Sequence, residues 1–242
     1  AYRSFTDGMA SLRAAGDLTQ SNSGAFILGN IRVAQGRLRE AASIYEAALR
    51  RASDGAGQGG PVAPGTADLH VGMSELCYEQ NDLEAASRHL LTGKALGEHS
   101  GITENRHRWY IAMARVEEAR GDLSGAEKLL EEAERLYVRS PDPDVRPVGA
   151  LKARVWLRQG RLAEALAWAR ERGLSATDDL SYMREFEHIT LIRVLMAQYE
   201  NDRVDDLRQV LNLLERLLQA AEEGGRTGSV IEILMLQALA HG

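Results

Sequence analysis

One signature recurs along this chain and constrains most of what it can become. A Gly (once an Asn), a polar residue and a Leu are followed, five residues after the Gly, by an Ala. The copies are Gly36-Arg37-Leu38 with Ala41, Asn81-Asp82-Leu83 with Ala86, Gly121-Asp122-Leu123 with Ala126, and Gly160-Arg161-Leu162 with Ala165. The four leucines stand 45, 40 and 39 residues apart. Nine residues after each turn come Tyr45, Leu90, Leu130 and Ala169, and seven before it come Gly29, Ser74, Ala114 and Ala153. Spacings of three and four place Ala41, Tyr45 and Ala48 on one helix face. A small residue before the turn lets two helices approach closely, and a larger one after it fills the gap between them. A repeat of two-helix hairpins at this period predicts an all-α stack, a right-handed α-α superhelix in which the four alanines are buried at hairpin contacts.

Apolar periodicity predicts about twelve helices, near 2–15, 25–35, 37–53, 66–80, 82–97, 103–120, 122–138, 148–159, 161–172, 181–200, 204–223 and 227–240. Two stretches interrupt them: SDGAGQGGPVAPG (Ser53–Gly65), a flexible loop, and SPDPDVRP (Ser140–Pro147), whose three prolines prevent helix continuation. A stack runs continuously across such loops, so residues 1–242 read as a single domain. No run of alternating β-branched residues predicts a strand.

With 44% hydrophobic but only 5% aromatic residues, the chain is rich in the Ala and Leu that suit helix-on-helix packing. A net charge of −6 argues against this segment gripping a phosphate backbone. Cys77 is the only cysteine, so no internal disulfide can form, and a reducing, cytoplasmic compartment is expected. No apolar stretch approaches membrane-spanning length, and the start carries neither a signal nor a transit peptide. The chain begins without Met and stops directly after an apolar helix, so it reads as a piece of something longer.

Several motifs invite a chemical reading and fail it. Gly55, Gly57 and Gly60 satisfy G-x-G-x-x-G, but they follow a helix and run into prolines, whereas a dinucleotide loop needs a strand before it and a helix within it. No G-x-x-x-x-G-K-[ST] loop occurs. None of the six histidines, His70, His89, His99, His107, His188 and His241, forms an H-x-x-x-H or H-E-x-x-H pair, and Cys77 has no partner at metal spacing, so no metal is expected. Gly97-Glu98-His99-Ser100-Gly101 lacks the serine position of a nucleophile elbow. With no acid–base pair or nucleophile in view, the chain is not expected to be an enzyme.

One row of residues has a different character. Six residues before the turn stand Asn30, Glu75, Arg115 and Arg154, and Arg193 lies a further 39 residues on, in the next first helix. In stacked hairpins this position faces the concave groove, where neighbouring first helices pack about 10 Å apart. Arg115, Arg154 and Arg193 would then line the groove, with Glu75 and Tyr78 towards its N-terminal side. The planar guanidinium fork suits carboxylate or phosphate groups. The alternative is ordinary internal ion pairing, with Glu118, Glu185 or Glu187 as the neutralising carboxylate. The aromatic residues Tyr78, Trp109, Tyr110, Trp156 and Tyr182 fall in the same first helices, either packing between hairpins or walling a small-molecule pocket.

The C-terminal third goes beyond a generic repeat. SYMREFEHITLIRVLMAQ (Ser181–Gln198) and LNLLERLLQAAEEGGRTGSVIEILMLQALA (Leu211–Ala240) resemble the tetratricopeptide-like sensor region of MalT-like, ATP-dependent LuxR-type transcriptional regulators. AYRSFTDGMASLRAAGDL near the start, LHVGMSELCYEQNDLEAASRHL (Leu69–Leu90) and VWLRQGRLAEALAWARERGLS (Val155–Ser175) extend the resemblance along nearly the whole chain. One departure is YENDRVDD (Tyr199–Asp206), longer than the turn such regions carry before their last hairpin. The resemblance implies a large cytoplasmic bacterial regulator. In such regulators an N-terminal domain holds ATP, a C-terminal helix-turn-helix binds DNA, and the helical region receives a small-molecule inducer and, in some members, inhibitory protein partners. Neither flanking domain lies in these residues, so no cofactor is expected here, and DNA would be met only through the absent domain. The competing expectation is a protein-docking scaffold with no small-molecule ligand.

Overall fold

The computed structural model describes residues 17–56, 62–96, 101–138, 144–202 and 207–241, and among them the chain is all-α. Its helices are α1 (Leu18–Ala34), α2 (Leu38–Ala56), α3 (Thr66–Glu79), α4 (Leu83–Ala95), α5 (Arg106–Arg120) and α6 (Leu123–Leu136), followed by α7 (Val148–Arg158), α8 (Leu162–Glu171), α9 (Glu185–Asp202), α10 (Leu207–Glu223) and α11 (Thr227–His241). The helix expected at 2–15, Gly57, Gly60, His99 and the 140–143 half of the Ser140–Pro147 stretch lie outside the described residues, as does the 203–206 part of YENDRVDD.

The recurring signature is a helix stop followed by a helix start. Gly36, Gly121 and Gly160 have φ of 71°, 91° and 77°, and Asn81, which takes the glycine's place in the second copy, is the one described non-glycine residue with positive φ, at 59°. Such a left-handed residue just past the C-cap lets the chain fold back on the last helical turn. Gly36 N–H donates to Val33 C=O and Arg37 N–H to Arg32 C=O, and the same pair of bonds recurs from Asn81 to Tyr78 with Asp82 to Cys77, and from Gly160 to Leu157 with Arg161 to Trp156. The aspartates of the signature then cap the next helix: Asp82 accepts from Ala85 N–H at 2.9 Å and Asp122 from Gly125 N–H at 2.8 Å. Gly173 and Gly225 close two further helices in the same way, with φ of 59° and 62°.

The register read from the sequence holds. Ala41, Ala86, Ala126 and Ala165 are all fully buried, as are Tyr45 and Leu90, and Leu130 and Ala169 are nearly so. Tyr45 shows why small and large residues alternate around the turn. A Cβ added at Gly29 of α1 would lie 2.2 Å from the Tyr45 ring, and one at Gly72 of α3 would lie 2.7 Å from it. The ring therefore occupies space that only glycine leaves open on both flanking helices. Its hydroxyl donates to Asn30 Oδ1 at 2.7 Å, and burial, with the nearby Glu75 charge, pushes the phenol well above its ordinary value, so it remains a donor.

Three boundaries differ from expectation. The helix predicted at 25–35 starts at Leu18, because Asp17 caps it by accepting from Gln20 N–H at 3.0 Å. The helices predicted from 103 and 181 begin at Arg106 and Glu185, each after a single 3₁₀ turn, Thr103–Asn105 and Tyr182–Arg184. Tyr182 thus sits before its helix rather than on it.

Packing divides the chain into two compact units, 1–120 with 131–139 and 121–130 with 140–242. In the first, Ala25, Phe26, Leu28, Tyr45, Leu69 and Leu76 form one cluster of core residues, and Val71, Cys77, Leu90, Ala112 and Val116 another. In the second, Ala153, Trp168, Ile192, Leu213, Leu214 and Ile233 belong to a single core. Val210, Leu213, Leu214, Leu217 and Ala221 form the buried stripe of α10 at helical spacing, and Tyr199–Asp202, the first half of the stretch expected as a long turn, continue α9 instead.

Candidate ligand site on the arginine row

Arg154 on α7 and Arg193 on α9, both in the second unit, converge on one carboxylate. Glu232 Oε1 accepts from Arg154 Nη1 at 2.8 Å and from Arg193 Nε and Nη2 at 3.1 and 2.8 Å. Glu232 was not singled out from the sequence, yet the signal is there. It stands 39 residues after Arg193, as Arg193 stands 39 after Arg154, so it is the next member of the row, carried by α11. Arg154 is held by other groups as well: its Nε donates to Thr190 Oγ1 at 2.9 Å, and its guanidinium lies 3.9 Å from the centroid of the Phe186 ring. Burial opposes ionisation of Glu232, but Arg154, Arg193 and Arg146 more than offset it and hold the carboxyl below its ordinary value. A depressed carboxyl contributes stability that is fully present above the ordinary carboxylate value and is lost as pH falls from there through the depressed one.

Arg115 belongs to the first unit and has its own partners. Its Nη2 lies 2.9 Å from Glu79 Oε1, and its guanidinium lies 4.1 Å from the centroid of the Tyr78 ring. Burial disfavours the Arg115 charge, but Glu79, with Tyr78 and Glu75, more than offsets this and keeps the guanidinium protonated. Glu75 and Tyr78 are half-buried on α3. Arg115 thus meets Glu79, and Arg154 and Arg193 meet Glu232, while Glu185 and Glu187, two of the three carboxylates weighed as neutralising partners, pair with other arginines. Glu185 instead accepts from Arg226 and from Ser229 Oγ at 2.7 Å, and Glu187 pairs with Arg172 at 2.7 Å and Arg184 at 3.2 Å.

The remaining aromatics mostly serve packing. Trp109 Nε1 donates to Leu90 C=O at 2.9 Å, Trp109 meets Tyr110 edge-on at 5.1 Å between centroids, and Trp156 Nε1 donates to Glu127 at 2.8 Å. Tyr182, Glu185, Leu217 and Arg226 help line a small cleft that opens to solvent. Cys77 is buried, and burial raises its thiol above the ordinary value.

A histidine pair escaped sequence reading because its members sit on different helices. His70 on α3 and His89 on α4 face each other, Nδ1 to Nδ1, at 3.1 Å. Burial disfavours the charged ring, and His89 would repel a second charge, so His70 falls from 6.5 to about 4; burial, with Arg88, lowers His89 as well. A neutral pair of this kind holds one proton between two nitrogens. Between about pH 6.5 and 4 the unfolded chain binds protons that the folded one does not, so stability must fall as the pH drops through that window. Thermal melts at pH 7.5 and 5 are expected to show this loss in the native chain and a flatter dependence in His70→Asn. An unchanged slope in the variant would assign the acid loss elsewhere.

Hairpins closed by left-handed glycines or an asparagine, with buried small residues at each contact, define a tetratricopeptide-type helical repeat region. Residues 4–241 match the family model of the MalT-like TPR region, and the chain belongs to that family. None of the curated proteins matches it.

Proposed function

We propose that this chain is the signal-receiving region of a MalT-like, LuxR-type transcriptional regulator of the bacterial cytoplasm. In this reading a small inducer binds the arginine row and shifts the regulator between resting and ATP-competent states. ATP turnover and DNA contact belong to other parts of that regulator, and this chain is not an enzyme. Membership of the MalT-like TPR family supports the regulatory role, and the single observation that carries the ligand site is the convergence of Arg154 and Arg193 on one partly exposed carboxylate. Glu75, Tyr78 and Arg115 supply a comparable set of charged and aromatic groups in the first unit.

A ligand that binds only the folded chain raises its melting temperature, so a thermal-shift screen against metabolite sets is expected to find one. Arg193→Gln should then weaken that ligand severalfold while leaving the helical signal by circular dichroism intact. A hit whose affinity is untouched by Arg193→Gln and Arg154→Ala would remove the arginine row from the reading. The second reading is a protein-docking scaffold without a small ligand, favoured by the row of exposed apolar side chains Ile231, Leu234, Met235 and Leu239 on α11. It predicts that no metabolite shifts the melt.

A further inference from the structure

We infer that His70 and His89 form a metal-ion site in the first unit, which takes a borderline divalent ion such as Zn²⁺, Ni²⁺ or Cu²⁺ through the two Nδ1 atoms. The site is separate from the arginine row and does not depend on the inducer reading. Its two residues lie 19 apart in sequence and on different helices, so the short ligand spacings that argued against a metal do not bear on them.

Three observations carry it. First, the separation fits. The Nδ1 atoms stand 3.1 Å apart. Two bonds of about 2.0–2.1 Å, the length of a zinc–imidazole bond, span that distance at an angle of roughly 100°, between the octahedral and tetrahedral values. Second, both nitrogens are available without expelling a proton. Burial holds both rings neutral at neutral pH, and one Nδ1 donates to the other. Neither Nε2 has a hydrogen-bond partner among the described residues, so the shared proton has a place on Nε2 of its own ring, leaving a lone pair on each Nδ1. The ion then competes with one hydrogen bond and not with protonation. Third, the rings stand on a fixed frame. α3 and α4 are the arms of one hairpin, closed at Asn81 and capped by Asp82, with Ala86 and Leu90 fully buried. Gly93 leaves room beside the pair, since a Cβ there would lie 3.2 Å from His70 Cβ. Ligands held by a folded frame lose little freedom when the ion binds.

The surroundings set the character of the site. Among the described residues no third His, Cys, Asp or Glu joins the pair in a metal-binding group, so water or an incoming group completes the coordination. The Nε2 atoms lack the carboxylate or carbonyl that braces the histidines of tighter sites. Arg88, close enough to disfavour a charged His89, opposes an incoming cation as well. Such a site exchanges its ion with solution and does not hold the fold together permanently. Imidazole selects these ions over Mg²⁺ and Ca²⁺, which take oxygen ligands. An ion bound here clamps α3 to α4 and stabilises the folded chain by mass action.

The test titrates the untagged chain with zinc, nickel and copper(II) chlorides in a non-coordinating buffer at neutral pH, read by calorimetry and thermal melting. One equivalent is expected to bind, most tightly for Cu²⁺, and to raise the melting temperature, while magnesium chloride leaves it unchanged. His70→Asn and His89→Asn should each weaken binding about tenfold or more and remove the melting shift. His241→Asn should leave both intact. Should either asparagine variant fail to fold, the imidazole nitrogen chemical shifts of the native chain carry the comparison: both Nδ1 signals must move together as Zn²⁺ is added. Absence of binding overturns the inference. So does a metal-induced shift that survives either asparagine variant, that Mg²⁺ reproduces, or that His241→Asn removes. If the pair serves only as a hydrogen bond, the asparagine variants lose stability in the absence of metal and the native chain shows no metal-dependent melt.

Discussion

Tyr45→Ala is expected to destabilise the chain by about 3–5 kcal/mol, the range for truncating a fully buried aromatic ring. Within that range the upper end applies, because the cost of a cavity depends on how well the neighbours can collapse into it. The walls here are Gly29 and Gly72, which have no side chains to move in, and the helices that carry them are fixed by their own hairpins. The hydroxyl accounts for the smaller part of the loss. Tyr45→Phe should cost about 1 kcal/mol, since it removes only the bond to Asn30 Oδ1. Gly72→Ala tests the same contact from the other side: its methyl would lie 2.7 Å from the ring, and overpacking of this kind costs about 1–3 kcal/mol. In a double variant with Tyr45→Ala the two losses should fall short of their sum, because the alanine methyl enters the space the ring vacates. Urea unfolding of the native chain and the four variants measures all of this. A loss below about 1 kcal/mol for Tyr45→Ala would mean that the first unit does not depend on this wedge.

The second large effect is expected at Arg226→Met. Glu185 is only 6% exposed, and Arg226 reaches it through Nε at 2.8 Å and through Nη2, while also donating to Ala220 C=O. Removing the arginine leaves a buried carboxylate with Ser229 Oγ as its remaining donor among these contacts, and breaking such a pair from one side costs about 3–5 kcal/mol. The pair as a whole is worth less than that, because its formation already required both ions to leave water. Glu185→Gln combined with Arg226→Met should therefore recover a large part of the loss. If the double variant is as unstable as the single one, the cost comes from lost packing of the arginine stem over Tyr182, whose ring lies 5.4 Å from the guanidinium, and not from the stranded charge.

The helices, their order and the positions of their turns follow from local rules that act within a few residues. A left-handed residue after the C-cap, an Asp at the next N-cap and apolar residues at spacings of three and four are each satisfied inside one hairpin. This is why Asn81 could be aligned with three glycines and proved to share their positive φ, and why four alanines chosen by counting are all fully buried. The row of arginines was legible by the same counting. What each arginine meets was not, because partners lie on other helices: Arg115 pairs with Glu79 across 36 residues and Arg193 with Glu232 across 39. Pairings of that kind depend on how successive helices slide and rotate against one another, and a difference of one helical turn exchanges Glu75 for Glu79 without changing the apolar pattern. His70 and His89 make the same point, since neither belongs to a motif and only the packing of α3 on α4 brings their nitrogens to 3.1 Å. The sequence by itself determined an all-α repeat, its turns and its buried contacts, because backbone stops and apolar periodicity are short-range. Which charges neutralise one another, and that two arginines of the row share one glutamate, was decided only when tertiary packing set the register between helices.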